Sequence, residues 1–213
     1  MKGARRVVFW RHGRTAWNAE TRFQGTTDVP LDEVGVLQAE RAARDLATLA
    51  PDRLVSSDLE RARVTAEALA ALVGLDITTD EALRETYAGT WQGLLREEIV
   101  AQDGDAFVRW LAGDDVRPGG GESRIEVAQR VADAVLRHAS SLPPGGTLVV
   151  TTHGGAARAG IGRLLGLPVE HWTVLGGLTN CAWSVLEELP DGRWRLLEHN
   201  ARSLPEEVEG DEE

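Results

Sequence analysis

The stretch that decides the fold is VVFWRHGRTAWN, residues 7–18. It opens with an apolar run, VVFW, which is typical of a central strand buried on both faces of a parallel sheet. Arg11, His12 and Gly13 follow this run directly. Because a guanidinium and an imidazole have no packing role at the end of a core strand, the stretch predicts a strand that delivers functional groups to one edge of the sheet.

A second stretch, LVVTTHGG at residues 148–155, has the same layout and ends in His153, Gly154 and another glycine. Ligands of an open parallel sheet bind beyond the carboxyl ends of its strands, where the next helices begin. We therefore expect His12 and His153 to meet at one site, although they lie far apart in the sequence.

Three segments have apolar residues spaced three and four apart, which is the pattern of an amphipathic helix. They lie within residues 39–49, 59–73 and 125–135. The last two are preceded by Ser-x-x-Glu capping boxes that begin at Ser57 and Ser123. These boxes predict where the two helices start.

Four shorter segments are predicted as strands: residues 53–56, 76–78, 182–187 and 193–198. The last two flank PDG, a turn signal that favours a hairpin. Strands that alternate with helices indicate an α/β fold with a doubly wound sheet. We therefore predict a three-layer α/β/α fold with a mostly parallel, doubly wound sheet and an antiparallel edge.

The 213-residue chain has 42% hydrophobic residues, which is enough for one sizeable core. We assign residues 1–203 to a single domain. Residues 204–213 contain six acidic side chains and are expected to form a disordered tail. Residues 111–121 end in PGGG and are expected to form a flexible loop over one face of the domain.

Charge and composition exclude several classes of function. The net charge of -11 argues against a nucleic-acid binder that relies on a broad basic surface. No run approaches the roughly 20 apolar residues of a membrane span, and the few apolar residues before Arg11 are too short for a signal peptide. The only cysteine, Cys181, excludes an intramolecular disulfide and a cysteine-rich metal site. We therefore expect a cytoplasmic protein with no nucleic-acid or membrane partner.

Two arginines and two histidines predict an anion site in this otherwise acidic chain. Arg11 and His12 end the first strand, and Arg61 falls in the first turn of the second predicted helix. Together with His153 they are expected to surround one point, and a phosphoryl group is the ligand that best fits such a site. Neighbouring cations disfavour protonation of an imidazole, so a neutral His12 is the expected nucleophile.

The proton donor is less sharply defined by the residues. Glu85 lies in LRETYAGTWQG, a glycine-bearing loop in which we expect the rings of Tyr87 and Trp91 to lie near the carboxylate. Three other glutamates are close by in the sequence: Glu81, Glu97 and Glu98. The residues alone therefore leave the choice of proton donor open.

A metal site is the main chemical alternative. The two histidines and a carboxylate are an unfavourable zinc site, because no closely spaced pair such as HExxH occurs and the adjacent arginines would repel a cation. The sequence has no GxxxxGKS pattern, and its single lysine is Lys2, which excludes a nucleotide-binding P-loop. No metal and no cofactor are expected.

The motifs that carry this chemistry resemble those of the histidine phosphatase superfamily, also called the phosphoglycerate mutase-like family. The resemblance runs from residue 7 to about residue 200. The motifs are, in order, RHG at 11–13, Asn18, FQG at 23–25, SSDL at 56–59 with Arg61, LRE at 83–85, GTWQG at 89–93, GGES at 120–123 and HG at 153–154. An isolated RHG is a weak signal, whereas the complete ordered set is specific.

The resemblance implies a role for each matching residue. It implies that His12 forms a phosphohistidine and that Glu85 protonates the leaving oxygen. Arg11, Arg61 and His153 are then ligands of the phosphoryl oxygens. The candidate substrate-binding residues are Asn18, Thr15, Gln24, Gly25 and Gly154. No metal is implied, because arginines take over the charge stabilisation that Mg²⁺ supplies elsewhere.

Arg14 departs from the resemblance, since related sequences often have Gln or Glu at that position. It is a further substrate-binding candidate, because a third cation beside the pocket would favour a substrate with an additional carboxylate or phosphate. It could equally pair with a carboxylate such as Glu20, and the sequence leaves both readings open.

The resemblance favours hydrolysis over phosphoryl return to a bound product. Mutases of the family carry a longer insertion with paired basic residues between the proton donor and the second histidine, whereas the stretch before Gly119 offers only the isolated Arg96, Arg109 and Arg117. Four segments resemble an actinobacterial branch of the superfamily whose members hydrolyse glucosyl-3-phosphoglycerate: VSSDL, LRETYAGTWQG, GGESRIEVA and LPVEHWTVLGGLTNCAW.

We therefore expect a metal-independent phosphomonoesterase that acts on a small phosphorylated substrate of the phosphoglycerate type, such as glucosyl-3-phosphoglycerate. The alternatives are a broad-specificity phosphatase, a cofactor-dependent phosphoglycerate mutase and, in a different class, a non-catalytic phosphate-binding interaction module. The resemblance also suggests a homodimer, with residues 172–178 as the expected contact.

Overall fold

The computed structural model describes residues 5–203, which build one six-stranded sheet. The strands are β1 Arg6–Arg11, β2 Arg53–Ser56, β3 Ile77–Thr79, β4 Thr147–Thr152, β5 Trp183–Glu188 and β6 Trp194–Ala201. Their order is β3-β2-β4-β1-β5-β6. The first four in this order are parallel, while β5 runs antiparallel to β1 and β6 antiparallel to β5. This confirms the predicted sheet and its antiparallel edge.

Helices cover both faces of the sheet. They are α1 Ala16–Ala19, α2 Glu33–Ala47, α3 Glu60–Val73, α4 Arg96–Ala112, α5 Arg124–Ser140 and α6 Gly154–Leu164. Val7 and Phe9 of β1 pack in a cluster with α5 and α6, whereas Val8 and Trp10 pack with α2 and α3. Because successive strand residues point to opposite faces, all four must be apolar. The predicted three layers are therefore confirmed.

The two predicted capping boxes differ in outcome. At α5 the box is formed: Ser123 Oγ accepts from the N–H of Glu126 at 3.3 Å, and Ser123 N–H donates to the Glu126 carboxylate at 3.0 Å. At α3 the prediction is wrong, because the N-cap is Leu59 and the helix begins at Glu60. The hydroxyl of Ser57 is instead hydrogen-bonded to the side chain of His153, which follows β4.

Two further expectations are corrected. The apolar spacing within residues 125–135 predicts that Ile125 lies on the buried face of α5, but it is 45% exposed because α5 buries the side that carries Val127 and Val131. Residues 111–121 are not one loop, because they begin with the last residues of α4 and contain a short 3-10 helix, Pro118–Gly120. The sequence analysis identified neither α4 nor the extent of α6.

The aromatic residues of α4 form a third, smaller cluster beside the sheet. Phe107 and Ile99 of this helix pack around the buried Trp91, with Phe23 and Trp110 against them. Ala88, three residues after Glu85 in the chain, also belongs to this cluster.

Two further predictions concern the end of the chain and its assembly. The predicted acidic tail, residues 204–213, lies outside the described residues. In residues 172–178, the expected dimer contact, Trp172, Leu175 and Leu178 are buried in the chain's own core. Val174 is 73% exposed and is the large apolar side chain that this segment presents at the surface.

Candidate active site

The register of two adjacent strands brings the histidines together. Parallel pairing of β1 with β4 sets Arg11 beside Thr152, so His12 and His153 come next on neighbouring strands. The N–H of His12 donates to the carbonyl of Thr152 at 3.0 Å. The two ring centroids are 5.1 Å apart, and the residues are 2% and 0% exposed.

The hydrogen bond of His12 fixes which ring nitrogen is free. Its Nδ1 lies 2.7 Å from the carbonyl oxygen of Gly13, which can only accept, so Nδ1 carries the proton. Burial, and then the charges of Arg61 and Arg11, lower the pKa of His12 well below its usual value. The ring is therefore neutral at physiological pH, with a lone pair on Nε2.

Arg61 is a fully buried cation in the first turn of α3. Its Nε donates to Nδ1 of His153 at 3.2 Å, and its terminal nitrogens donate to the carbonyls of Gly25 at 2.8 Å and Thr27 at 2.7 Å. Burial lowers the pKa of Arg61 to about 10, so the guanidinium keeps its charge at neutral pH. The two carbonyls are backbone groups of the loop that follows α1, which ties this loop to the site.

His153 is held as a neutral hydrogen-bond donor. Because Nδ1 accepts from Arg61, the ring proton lies on Nε2, which is 2.9 Å from Ser57 Oγ. Burial, and then the charge of Arg61, lower the pKa of His153 well below its usual value. The hydroxyl of Ser57 thus belongs to the site, which explains why it does not cap α3.

Arg11 brings a second cation to the same edge of the sheet. One terminal nitrogen donates to the carbonyl of Leu178 at 2.7 Å. Its Nε is buried and has no hydrogen-bond partner within residues 5–203. A buried donor without a partner costs about 1–3 kcal/mol, which favours an anionic ligand at this position. Burial lowers the pKa of Arg11 from its usual value.

Glu85 is held by the first turn of α6. The N–H groups of Gly155 and Ala156 each donate to its carboxylate at 2.9 Å, and the N–H of Thr86 donates at 2.8 Å. These are backbone donors that a helix N-terminus leaves unpaired. The neighbours of the carboxylate are therefore amides, and the expectation of surrounding aromatic rings is not met.

The two aromatic residues expected near Glu85 lie elsewhere. Tyr87 is 48% exposed, and Trp91 is buried in the separate cluster with α4. Trp110 packs against that cluster and also lines the cavity of the site.

An arginine that the sequence analysis did not single out holds the Glu85 loop in place. Arg130 of α5 donates to the carbonyls of Ala82 at 2.8 Å, Arg84 at 2.7 Å and Glu85 at 3.0 Å. It also pairs with Glu122 at 2.8 Å. One partly buried guanidinium thus binds three carbonyls within four residues of the backbone that positions Glu85. No motif marks Arg130, since arginines are frequent on this helix.

The site opens into a cavity of about 400 Å³. Its lining includes Arg11, His12, Asn18, Gln24, Gly25, Arg61, Glu85 and Gly154, all singled out from the sequence. It also includes Phe23, Trp110, Arg124, Arg158 and Trp172, which were not assigned to the site. A volume in this range is typical of a small-molecule site.

Two predicted substrate-binding residues do not line this cavity. Arg14 pairs with Asp32 at 2.8 Å and not with Glu20, the carboxylate considered above. Thr15 is fully buried, caps α1 and donates to the side chain of Gln24 at 3.1 Å. The donors of Arg14 and Thr15 are thus already bound to Asp32 and Gln24. Both residues therefore support the loop that carries the cavity residues.

Asn180 was missed by the sequence analysis. Its side-chain amide donates to the carbonyl of His12 at 3.1 Å and to Asn18 Oδ1 at 3.1 Å. It therefore connects the segment before β5 to the backbone of His12 and orients Asn18. The only signal in the sequence is its place within TNCAW, which carries no recognisable spacing.

Residues 5–203 lack two features that would point to other functions. Within residues 5–203, no group of three or more His, Cys, Asp and Glu side chains has the arrangement of a metal site. No helix in the same range has both the length and the apolar character needed to cross a membrane.

Comparison with known proteins places this geometry in a family. A model of the histidine phosphatase superfamily, branch 1, matches residues 7–202. The chain belongs to this superfamily. The match covers every residue assigned above to the site.

Several histidine phosphatases are similar over almost the whole chain. Glucosyl-3-phosphoglycerate phosphatase of Mycobacterium tuberculosis is 40% identical over 212 residues, covering 93% of this chain and 95% of the relative. The enzyme of the same name from Mycolicibacterium vanbaalenii is 40% identical over 215 residues, covering 92% and 95%. A solved structure of mycobacterial glucosyl-3-phosphoglycerate phosphatase with VO3 is 42% identical and has a TM-score of 0.89. The match covers 93% of this chain and 100% of that chain. The family resemblance, the fold and the phosphatase class are thus confirmed.

Proposed function

We propose that this histidine phosphatase is a phosphomonoesterase that transfers the phosphoryl group of its substrate to Nε2 of His12 and then to water. The observation that carries the proposal is the hydrogen bond from Nδ1 of His12 to the carbonyl of Gly13 at 2.7 Å. It leaves Nε2 as the nucleophilic atom of a neutral, buried ring. The ring lies beside two cations that a phosphoryl group can bridge.

The first step forms the phosphohistidine. The lone pair on His12 Nε2 forms a bond to phosphorus while the ester P–O bond breaks. The bonding electrons pass to the leaving oxygen, which takes a proton from the carboxyl group of Glu85. In the second step a water molecule attacks phosphorus and gives its proton to the Glu85 carboxylate. The N–P bond breaks, and inorganic phosphate and the neutral ring of His12 are released.

Charge on the transferring phosphoryl group is stabilised by fixed donors. Arg11 and Arg61 supply two guanidinium groups, and the Nε2–H of His153, which donates to Ser57 Oγ before substrate binds, is then shared with a phosphoryl oxygen. The N–H of Gly154, the first residue of α6, adds a backbone donor at a helix N-terminus. These groups are held by other protein atoms before substrate binds, which is the condition for effective electrostatic catalysis. We propose that no metal ion is required.

The proposed substrate is a phosphoglycerate-type ester such as glucosyl-3-phosphoglycerate. Support comes from the activity that names the relatives at 40% identity. The 400 Å³ cavity offers room beyond the phosphoryl group, and the indole rings of Trp110 and Trp172 line it. Aromatic faces of this kind pack well against the apolar faces of a sugar ring.

The test is phosphate release in EDTA from three substrates in parallel: glucosyl-3-phosphoglycerate, 3-phosphoglycerate and p-nitrophenyl phosphate. His12→Ala protein is the blank. We expect activity that EDTA does not reduce and a kcat/KM for the glucosylated ester at least about tenfold above the others, equivalent to about 1.4 kcal/mol. Equal values for all three would indicate a broad-specificity phosphatase. Conversion of 3-phosphoglycerate to 2-phosphoglycerate without phosphate release would indicate a mutase, and no turnover would indicate a binding module.

We also propose that the enzyme acts in the cytoplasm as a homodimer. The cytoplasmic assignment is supported by the single, buried cysteine, which serves no disulfide. The dimer is supported by the exposed Val174 of the segment suggested for the contact. Light scattering behind a size-exclusion column tests the assembly: we expect twice the chain mass of 23.1 kDa, and a single chain mass would contradict the dimer.

A further inference from the structure

Two arginines of the cavity, Arg124 and Arg158, form no ion pair with a carboxylate within residues 5–203. Both line the cavity, and the Nε of each is buried without a hydrogen-bond partner in the described part of the chain. Arg124 donates to the carbonyl of Trp110, and its guanidinium lies 5.2 Å from the centroid of that ring. Within residues 5–203, Arg158 makes no hydrogen bond and no ion pair. The contacts of the described residues thus leave each guanidinium with a buried donor that is unused.

Arg124 also occupies an unfavourable place in its helix. It is the first residue of α5, where the partial positive charge of the helix N-terminus favours acidic side chains. A cation there lowers the stability of the helix, so its presence calls for a partner outside the helix. α5 packs directly against α6, which carries Arg158. Two cations are therefore brought to one wall of the cavity.

The electrostatics agree with this proximity. Burial, and then the positive charge of Arg158, lower the pKa of Arg124, while the negative charges of Asp115 and Asp114 raise it. Burial also lowers the pKa of Arg158, while the negative charge of Glu85 raises it. Two like charges near each other in a half-buried wall repel, and an anion between them removes the repulsion.

The other charged residues of the cavity wall already have partners. Arg22 pairs with Glu20 at 3.1 Å, and Glu122 pairs with Arg130 at 2.8 Å. Under the proposed function, Arg11 and Arg61 bind the phosphoryl oxygens and Glu85 serves the leaving oxygen. The positive charges of Arg124 and Arg158 on the cavity wall are therefore not balanced by the phosphate group of a monoester alone.

The position of Arg158 fits the length of a small substrate. It lies four residues after Gly154 in α6, and residues four apart occupy the same face of a helix. The spacing is about one turn, or about 5.4 Å along the helix axis. Its guanidinium also lies against the backbone of Gly177, next to the carbonyl of Leu178 that holds Arg11. One turn is about the span between the phosphate and the carboxylate of a three-carbon phosphoglycerate.

We propose that Arg124 and Arg158 form a second anion subsite that binds the carboxylate of the substrate's alcohol portion. The inference rests on the proposed function and adds to it a chemical class: phosphate esters of hydroxy acids, in preference to esters of neutral alcohols. The subsite replaces the role considered above for Arg14, whose guanidinium is occupied by Asp32.

The test uses two substrates that differ only in this carboxylate, 3-phosphoglycerate and glycerol 3-phosphate. The readout is the ratio of their kcat/KM values, which does not depend on the fraction of folded enzyme. The variants are Arg124→Gln and Arg158→Gln. The control is Arg163→Gln, which removes an exposed arginine of the same helix as Arg158 and outside the cavity lining.

We expect the wild-type enzyme to prefer 3-phosphoglycerate by at least about tenfold, since hydrogen bonds to a charged group are worth more than neutral ones. Each cavity variant should lower the ratio by about tenfold or more, and the control should retain it. A wild-type ratio near one, or cavity variants with the wild-type ratio, would overturn the subsite while phosphate release still upheld the phosphatase. No phosphate release from either substrate by wild-type enzyme would instead overturn the proposed function, and with it the subsite.

Discussion

Replacing Gly155 with alanine tests how the protein positions Glu85. Gly155 is the second residue of α6, and its N–H donates to Glu85 Oε2 at 2.9 Å. A Cβ at this position would lie 2.6 Å from Oε1 and 3.3 Å from the carboxyl carbon. Ordinary van der Waals contact begins at 3.4 Å, so the carboxyl group must retreat by about 0.8 Å.

The retreat should reduce proton transfer without unfolding the enzyme. A misplacement of about 1 Å in a catalytic site can cost about 100-fold in rate, and we expect a loss of that size for an alkyl phosphate ester. p-Nitrophenyl phosphate should lose less than about fivefold, because its phenolate leaves without help from a general acid. Alanine favours a helix over glycine by about 1 kcal/mol, which offsets part of the strain.

The assay measures kcat for 3-phosphoglycerate and p-nitrophenyl phosphate with the same enzyme preparation. Gly104→Ala is the matched control, since Gly104 lies within α4 and a Cβ there would have an ordinary contact of 3.8 Å with Val100. Equal losses for the two substrates in Gly155→Ala would refute a role for Glu85 in protonating the leaving oxygen. No loss for either would refute the steric argument.

Two further predictions concern stability. Arg130→Gln removes charge-assisted hydrogen bonds to the Glu85 loop, so it should lower the free energy of unfolding by about 3 kcal/mol. It should also slow hydrolysis of the alkyl ester more than that of the aryl ester. Arg137→Gln, an exposed change on the same helix, should have neither effect. Burial holds the pKa of His12 and of His153 well below the ordinary 6.5. Below pH 6.5 these two histidines therefore bind protons in the unfolded chain but not in the native chain. Stability should be full above pH 6.5 and fall below it by about 1.4 kcal/mol per pH unit for each histidine. Urea titrations between pH 6.5 and 5.5 should show half this slope in His153→Gln, and an unchanged slope would contradict the assignment.

The parts of the fold that depend on short-range patterns were predictable from the sequence. Arg11 and His12 follow an apolar strand so closely that their place at the sheet edge follows from strand geometry alone. Ser123 likewise caps α5 because a capping box needs only residues within one turn. Such features require no knowledge of what packs against them.

The parts that depend on tertiary contacts were not predictable. Ser57 has the same Ser-x-x-Glu pattern as Ser123, yet its hydroxyl bonds His153, which arrives on a neighbouring strand. Arg130 and Arg158 lie on helices that also carry other arginines, and only helix packing determines which of them face the site. The neighbours of Glu85 were predicted wrongly for the same reason. The prediction chose Tyr87 and Trp91, which are close in sequence, whereas the carboxylate contacts the first turn of α6.

Chemical trapping of the phosphorylated enzyme tests the central claim most directly. Enzyme is mixed with substrate carrying ³²P in the ester phosphate and quenched in alkali within milliseconds, because phosphohistidine survives base and is lost in acid. The account predicts label that reaches a steady state during turnover, maps to the peptide containing His12 and is absent in His12→Ala. Label on another residue, or turnover with no label on wild-type enzyme at any quench time, would contradict nucleophilic catalysis by His12.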